Sequence, residues 1–137
     1  MNWEMLRLAA DHIEKDPSSF DMDHFGFAFG CGTVSCCGTV ACLAGHIVWA
    51  NDPDEFESLV NGGRSYRIEE RACELLGIEI DPSDFYDLFY GGDLSFDCFN
   101  HNKNKVPAAI RWMADTHTAS WEAAAEAVGF TDKGDVL

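Results

Sequence analysis

Apolar residues recur at helical spacing along most of this chain, in segments of about ten residues that Gly, Pro and Asp keep cutting short. Trp3, Leu6, Ala10 and Ile13 define the first, with Arg7, Asp11 and Glu14 turned outward. Asp16-Pro17-Ser18-Ser19 ends it. Val40, Leu43, Ala44, Ile47 and Val48 form the next, from a Thr39 cap to Ala50, and Asn51-Asp52-Pro53 stops it. Asp54 to Val60 reads as a short helix. Arg67 to Leu76 reads as a longer one closed by Gly77. Asp81-Pro82 opens another towards Leu88 and Phe89, stopping at Gly91-Gly92, and Pro107 opens one with Ile110, Met113 and Ala114. The last runs from Ala119 to Val128, with Gly129 as its C′ residue and Phe130 behind it. The alternation Phe25-Gly-Phe27-Ala-Phe29 suits a short strand, and Asp93 to Lys105 reads as irregular. The expected fold is mainly α: a single compact domain, residues 1–130, of five or six helices with at most a short strand pair. Residues 131–137 are expected to form a flexible tail.

A chain of 137 residues, 47 % of them hydrophobic, can bury a core of its own. No run approaches the roughly 18 apolar residues of a membrane span. The early charges Glu4, Arg7 and Asp11 do not fit a signal peptide, so a cytoplasmic protein is expected. The 24 acidic residues outnumber the 9 basic ones, for a net charge of −15. Such a chain repels nucleic-acid phosphates and attracts basic protein surfaces. Direct nucleic-acid binding is disfavoured. Imitation of DNA towards a basic protein is the sharper reading of the charge, and solubility the plainer one.

Between Cys31 and Cys42 the same six-residue word occurs twice, Cys-Gly-Thr-Val-Ser-Cys and then Cys-Gly-Thr-Val-Ala-Cys, and it holds four of the six cysteines. Without an export signal, reduced thiols are expected rather than disulfides. Adjacent Cys36 and Cys37 would form only a strained bridge. Three chemistries suit the segment. As zinc ligands, Cys42 and His46 lie four apart on the expected helix and Cys37 just ahead of it, with Cys31, Cys36 or His24 as a fourth. As a nucleophile, Cys37 near a helix N-terminus would have its thiol pKa lowered, with His101 or His117 as base. As packing, the thiols fill small gaps beside Gly38, Ala41, Ala44 and Gly45, and this reading leads.

Two anion sites are also conceivable. One uses the backbone N–H groups after Gly38 and Thr39 at the helix start. The other uses Arg67 and Arg71, four apart, with Arg64 before them; such arginines more often pair with local acids, here Glu69, Glu70 and Glu74. His101 to Lys105 reads as a mobile polar loop, and His117 as a contact at a helix junction.

The run Cys37-Gly38-Thr39-Val40-Ala41-Cys42-Leu43-Ala44-Gly45-His46 resembles the Cys-Gly-Thr-x-x-Cys-x-Ala-Gly-(Trp/His) motif of a family of small proteins from tailed phages and from bacteria, many of them actinobacterial. Ala72 to Ile78, followed by Leu88-Phe89, is similar to that family's second helical block. The resemblance spans residues 1 to about 90 and carries no activity. It implies a phage or prophage setting and an accessory role, which fits a non-catalytic binding protein that docks to a host protein or sequesters a small ligand. A thiol-dependent enzyme and a structural zinc module are the alternatives.

Overall fold

The computed structural model describes residues 1–21, 27–28, 39–62, 64, 67–78, 88–91 and 94–131. Among them are seven α-helices: α1 (Trp3–Lys15), α2 (Leu43–Asn51), α3 (Pro53–Asn61), α4 (Ile68–Leu76), α5 (Phe96–His101), α6 (Val106–Thr116) and α7 (Trp121–Val128). Two short strands, β1 (Phe27–Ala28) and β2 (Thr39–Val40), pair antiparallel with Phe27 opposite Val40 and Ala28 opposite Thr39. The expected fold class, mainly α with one short strand pair, is what the chain adopts. The expected tail lies almost wholly outside the described residues, as does the helix from Asp81 except for its end at Leu88–Tyr90.

The helix ends follow from side chains that satisfy free backbone groups. Asp52 accepts from the N–H groups of Asp54 and Glu55 and, with Pro53 behind it, starts α3. Ser120 caps α7 by accepting from Ala123 N–H. Gly77 and Gly129 close α4 and α7 in the left-handed region, at φ 73° and 82°. Phe130 then turns inward, its N–H bonded to Ala125 O. Gly91, at φ 81°, is required twice over, because a Cβ there would also meet the Phe99 ring at 2.7 Å.

Two expectations about elements are corrected. Thr39 does not cap a helix: it lies in β2, and α2 begins only at Leu43, with Cys42 as its N-cap. Val40 and Ala41 are used instead for strand pairing and for a parallel bridge to Phe20, in which Ala41 N–H bonds Ser19 O and Asp21 N–H bonds Ala41 O. The described part of the stretch expected to be irregular, from Leu94 to Lys105, is mostly helical. Ser95 accepts from Cys98 N–H and starts α5, and a 3-10 turn over Lys103–Lys105 follows. Nor is His101–Lys105 a loose loop. Asn102 is buried, donates to Cys98 O and Thr131 O, and accepts from Thr131 N–H, while Lys105 Nζ donates to Gly129 O.

Helix α1 packs against α6 and α2; α2 also receives α3 and α4, and α6 carries α7. One contiguous core runs through them. Its aromatic centre joins Phe20, Phe99, Trp121 and Phe130, with Trp121 Nε1 donating to Leu88 O at 2.8 Å. Helix α2 is apolar almost all round, as befits the element at the middle. His46 is the exception, and it lies in the centre of the molecule.

Candidate functional site

The most unusual chemistry among the described residues is at the junction of α1 and α2. His46 is fully buried. Its Nε2 lies 3.0 Å from the carbonyl oxygen of Ser19, which can only accept, so Nε2 carries the proton. Nδ1 is then the lone-pair nitrogen, and it faces Nδ1 of half-buried His12 at 2.9 Å, from which it takes a hydrogen bond. The ring centroids are 5.1 Å apart, longer than the nitrogen separation by about two ring radii, so the contact is nearly in line. Trp49 covers both rings, at 4.7 Å from His12 and 5.3 Å from His46, and itself stacks on Phe56 at 4.7 Å.

Burial sets the protonation of this pair. It pushes His46 down to about 3, against a smaller upward pull from the Ser19 backbone and Asp16. His12 is lowered too, by burial first and by Lys15 second. Both rings are neutral at neutral pH. Ser19 closes the chain of bonds: its hydroxyl donates to Asp16 O at 2.7 Å and sits 3.3 Å from His46 Nε2, where it can only share the N–H. A serine nucleophile needs the opposite order, with its proton directed at an imidazole lone pair.

The residues singled out in the sequence are spread through the molecule. Cys37 and Gly38, with Cys31, Cys36 and His24, lie outside the described residues. Cys42 starts α2, where a helix dipole would activate a thiol. Burial outweighs the neighbouring N–H groups of Ala44 and Gly45, and its pKa is pushed up to about 12. Because α2 starts at Leu43 with Cys42 as its N-cap, its N-terminus is not at Thr39, where Cys37 and an anion were expected to meet it. Cys42 is the N-cap of α2, not part of the helix that was expected to carry both ligands, and His46 bonds His12 of α1. Among the described residues no three His, Cys, Asp or Glu side chains form a metal-binding group.

Arg71 is paired with acids of α3 and α4. Its Nε bonds both Glu55 oxygens at 3.0 Å and its Nη1 bonds Glu74 at 3.2 Å. Glu74 was an expected partner; Glu55, from the preceding helix, was not. Arg67 is exposed on the rim of an open cleft of about 370 Å³ lined also by Glu55, Leu59, Glu70, Arg71 and Glu74. His101 ends α5 on the surface. His117 adopts the left-handed conformation (φ 54°) after α6, and its ring stacks flat on Trp3 at 5.0 Å. It is thus a contact at a helix junction, as its position suggested.

The residue that sequence reading passed over is His12. It sits between the inward and outward faces of α1, and nothing local links it to His46, 34 residues on. The available signal was its spacing one residue before Ile13 on a helix otherwise sorted into apolar and charged faces.

Among its described residues the molecule is a mainly helical domain with a hydrogen-bonded histidine pair, one ring of it fully buried, between α1 and α2. No protein family matches the chain, and neither a curated protein nor a solved structure matches it.

Proposed function

We propose that this chain is a small, acidic, non-catalytic binding protein of phage or prophage type, acting in the host cytoplasm on a protein partner with a basic surface. A host defence or nucleic-acid enzyme is the first class of partner to test. The observation that carries the reading is the excess of carboxylates. The net charge is −15, and three of the nine basic side chains are already shared by two acids each: Arg7 by Glu4 and Asp115, Arg71 by Glu55 and Glu74, Arg111 by Asp11 and Glu14. The remaining acids outnumber the remaining bases, and long-range attraction to a basic partner follows. Two of the described cysteines fit this reading. Cys42 and Cys73 are buried thiols with pKa values raised to about 12 and 11, the reverse of an activated nucleophile.

The test is capture from bacterial lysate on immobilised full-length protein, eluted with increasing salt and repeated with an Asp54→Asn/Glu57→Gln/Glu126→Gln variant. A stoichiometric partner that leaves by about 0.5 M salt and binds the variant less tightly supports the reading. Capture of nothing, or a partner indifferent to both salt and the variant, defeats it. Labelled duplex DNA should show no binding.

A further inference from the structure

The open cleft between α3 and α4 holds charges that the fold leaves unmatched. Arg67, Glu70, Arg71 and Glu74 fall at i, i+3, i+4 and i+7 from the N-cap residue of α4, so they share one face of that helix. Glu55 and Leu59, four apart on α3, complete the lining. Part of the wall is fixed by ion pairs, since Arg71 Nε bonds both Glu55 oxygens at 3.0 Å and its Nη1 bonds Glu74 at 3.2 Å. Leu59 packs on the core and supplies the apolar part of the lining. Beside this finished network, the Arg67 guanidinium and the Glu70 carboxylate have no bonding partner among the described residues. A cleft of about 370 Å³ thus presents one free cation and one free anion from the same helix face.

We propose that this cleft binds a basic amino-acid residue that carries a free carboxylate: arginine or lysine, as the free amino acid or as the C-terminal residue of a polypeptide. The ligand carboxylate pairs with Arg67, whose planar fork of donors suits it. The side-chain cation goes to Glu70 and Glu74, and its methylene stem lies along Leu59. Both charges are needed. A simple anion would meet Arg67 but also three carboxylates, and the lining, with three glutamates against two arginines, has a formal charge of −1. A cation alone would meet Glu70 but leave Arg67 opposing it. Length matters as well, because Arg67 and Glu74 are seven residues apart, roughly 10 Å along the axis of α4. A short residue with the same carboxylate reaches Arg67 and none of the acids. The inference stands apart from the partner-binding reading, which rests on the charge of the whole chain rather than on this cleft, so either can fail alone.

The experiment is a titration of the reduced, ¹⁵N-labelled full chain near neutral pH and at low ionic strength, read by backbone amide spectra. The probes are L-arginine, the tripeptide Gly-Gly-Arg, citrulline (an uncharged side chain) and agmatine (no carboxylate). Arginine in one form or the other should move the signals of Glu55, Leu59 and Arg67 to Glu74 in a saturable way. Citrulline and agmatine should bind at least about tenfold more weakly, each lacking one charge-assisted contact. A tighter response to Gly-Gly-Arg assigns the cleft to a polypeptide C-terminus, and a tighter response to L-arginine assigns it to the free amino acid. Arg67→Met should remove the advantage over agmatine, and Glu70→Gln the advantage over citrulline. Neither side chain has a partner in the fold, so both variants should fold as the parent does. No saturable shift with arginine or the tripeptide up to about 50 mM overturns the proposal. So does equal binding of all four probes, or a preference for arginine over agmatine that survives Arg67→Met.

Discussion

Helix α1 is tied down on two sides by polar interactions of opposite kinds. Towards α2 the tie is the uncharged chain His12–His46–Ser19, with His12 half-buried and His46 fully enclosed. Towards α6 it is a seam of exposed ion pairs, in which Arg111 bonds Asp11 at 2.6 Å and Glu14 at 2.9 Å, and Arg7 joins Glu4 to Asp115. The first has no alternative partner if broken, because water does not reach His46. The second exchanges freely with solvent. The buried tie should therefore dominate stability and respond to pH, whereas the exposed seam should be weak and respond to salt.

Acid is expected to act most strongly. His46 is held at about 3 in the folded chain against 6.5 when exposed. Above pH 6.5 it is neutral in both states and contributes no pH dependence. Below 6.5 the unfolded chain takes up a proton that the folded chain refuses, so stability falls with pH until about pH 3, by roughly 5 kcal/mol in all. Glu14, lowered by Arg111, loses its own contribution only as pH drops below about 4.5. The interval from 6.5 to 4.5 thus reports mainly on histidine. Urea unfolding in chelator should show a falling midpoint over that interval, and the slope should shrink in His46→Ala. A flat midpoint would mean that His46 is not buried and neutral.

At pH 7.5 the truncation His46→Ala itself should cost about 3 kcal/mol, combining a core cavity with the loss of partners for His12 and Ser19. His12→Gln removes one hydrogen bond at a half-buried position and should cost about 1 kcal/mol. Equilibrium unfolding checks both, and equal losses would contradict the contrast in burial between the two rings.

The two ties also differ in how far they could be read beforehand. The α1 stripe, the Pro start of α6, and the glycine ends of α4 and α7 were legible because each is a local rule: a period, a fixed φ or a missing Cβ. Gly77 and Gly129 did close their helices as read. Thr39 misled because a capping residue before an apolar run has the same appearance when the run begins with a strand. Pairing with Phe27–Ala28 and the bridge to Phe20 decided the matter from a distance. Ser95 was overlooked because the six-residue α5 is too short to show a period. Its cap and the Asn102 clasp to Thr131 stabilise it. The candidate site was half visible: His46 stood out beside the cysteines, but its partner is set by how α1 crosses α2, which no local pattern encodes.

The smallest expected effect concerns the exposed seam. Arg111 reaches two carboxylates of α1, which raises its pKa and lowers that of Glu14, yet those acids are about 60 % exposed and hydrated when unpaired. Ion pairs of this kind trade one favourable environment for another and are weakened by salt. Arg111→Met keeps much of the side-chain packing and should lower the melting temperature by about 2–4 °C at low ionic strength. In about 1 M salt the difference should vanish, whereas the penalty of His46→Ala should persist, since salt does not screen a neutral hydrogen bond in the core. If both variants lost their penalties together in salt, α1 would be held by charge on both faces. If neither did, the Arg111 seam would be acting through packing of its aliphatic stem rather than through its ion pairs.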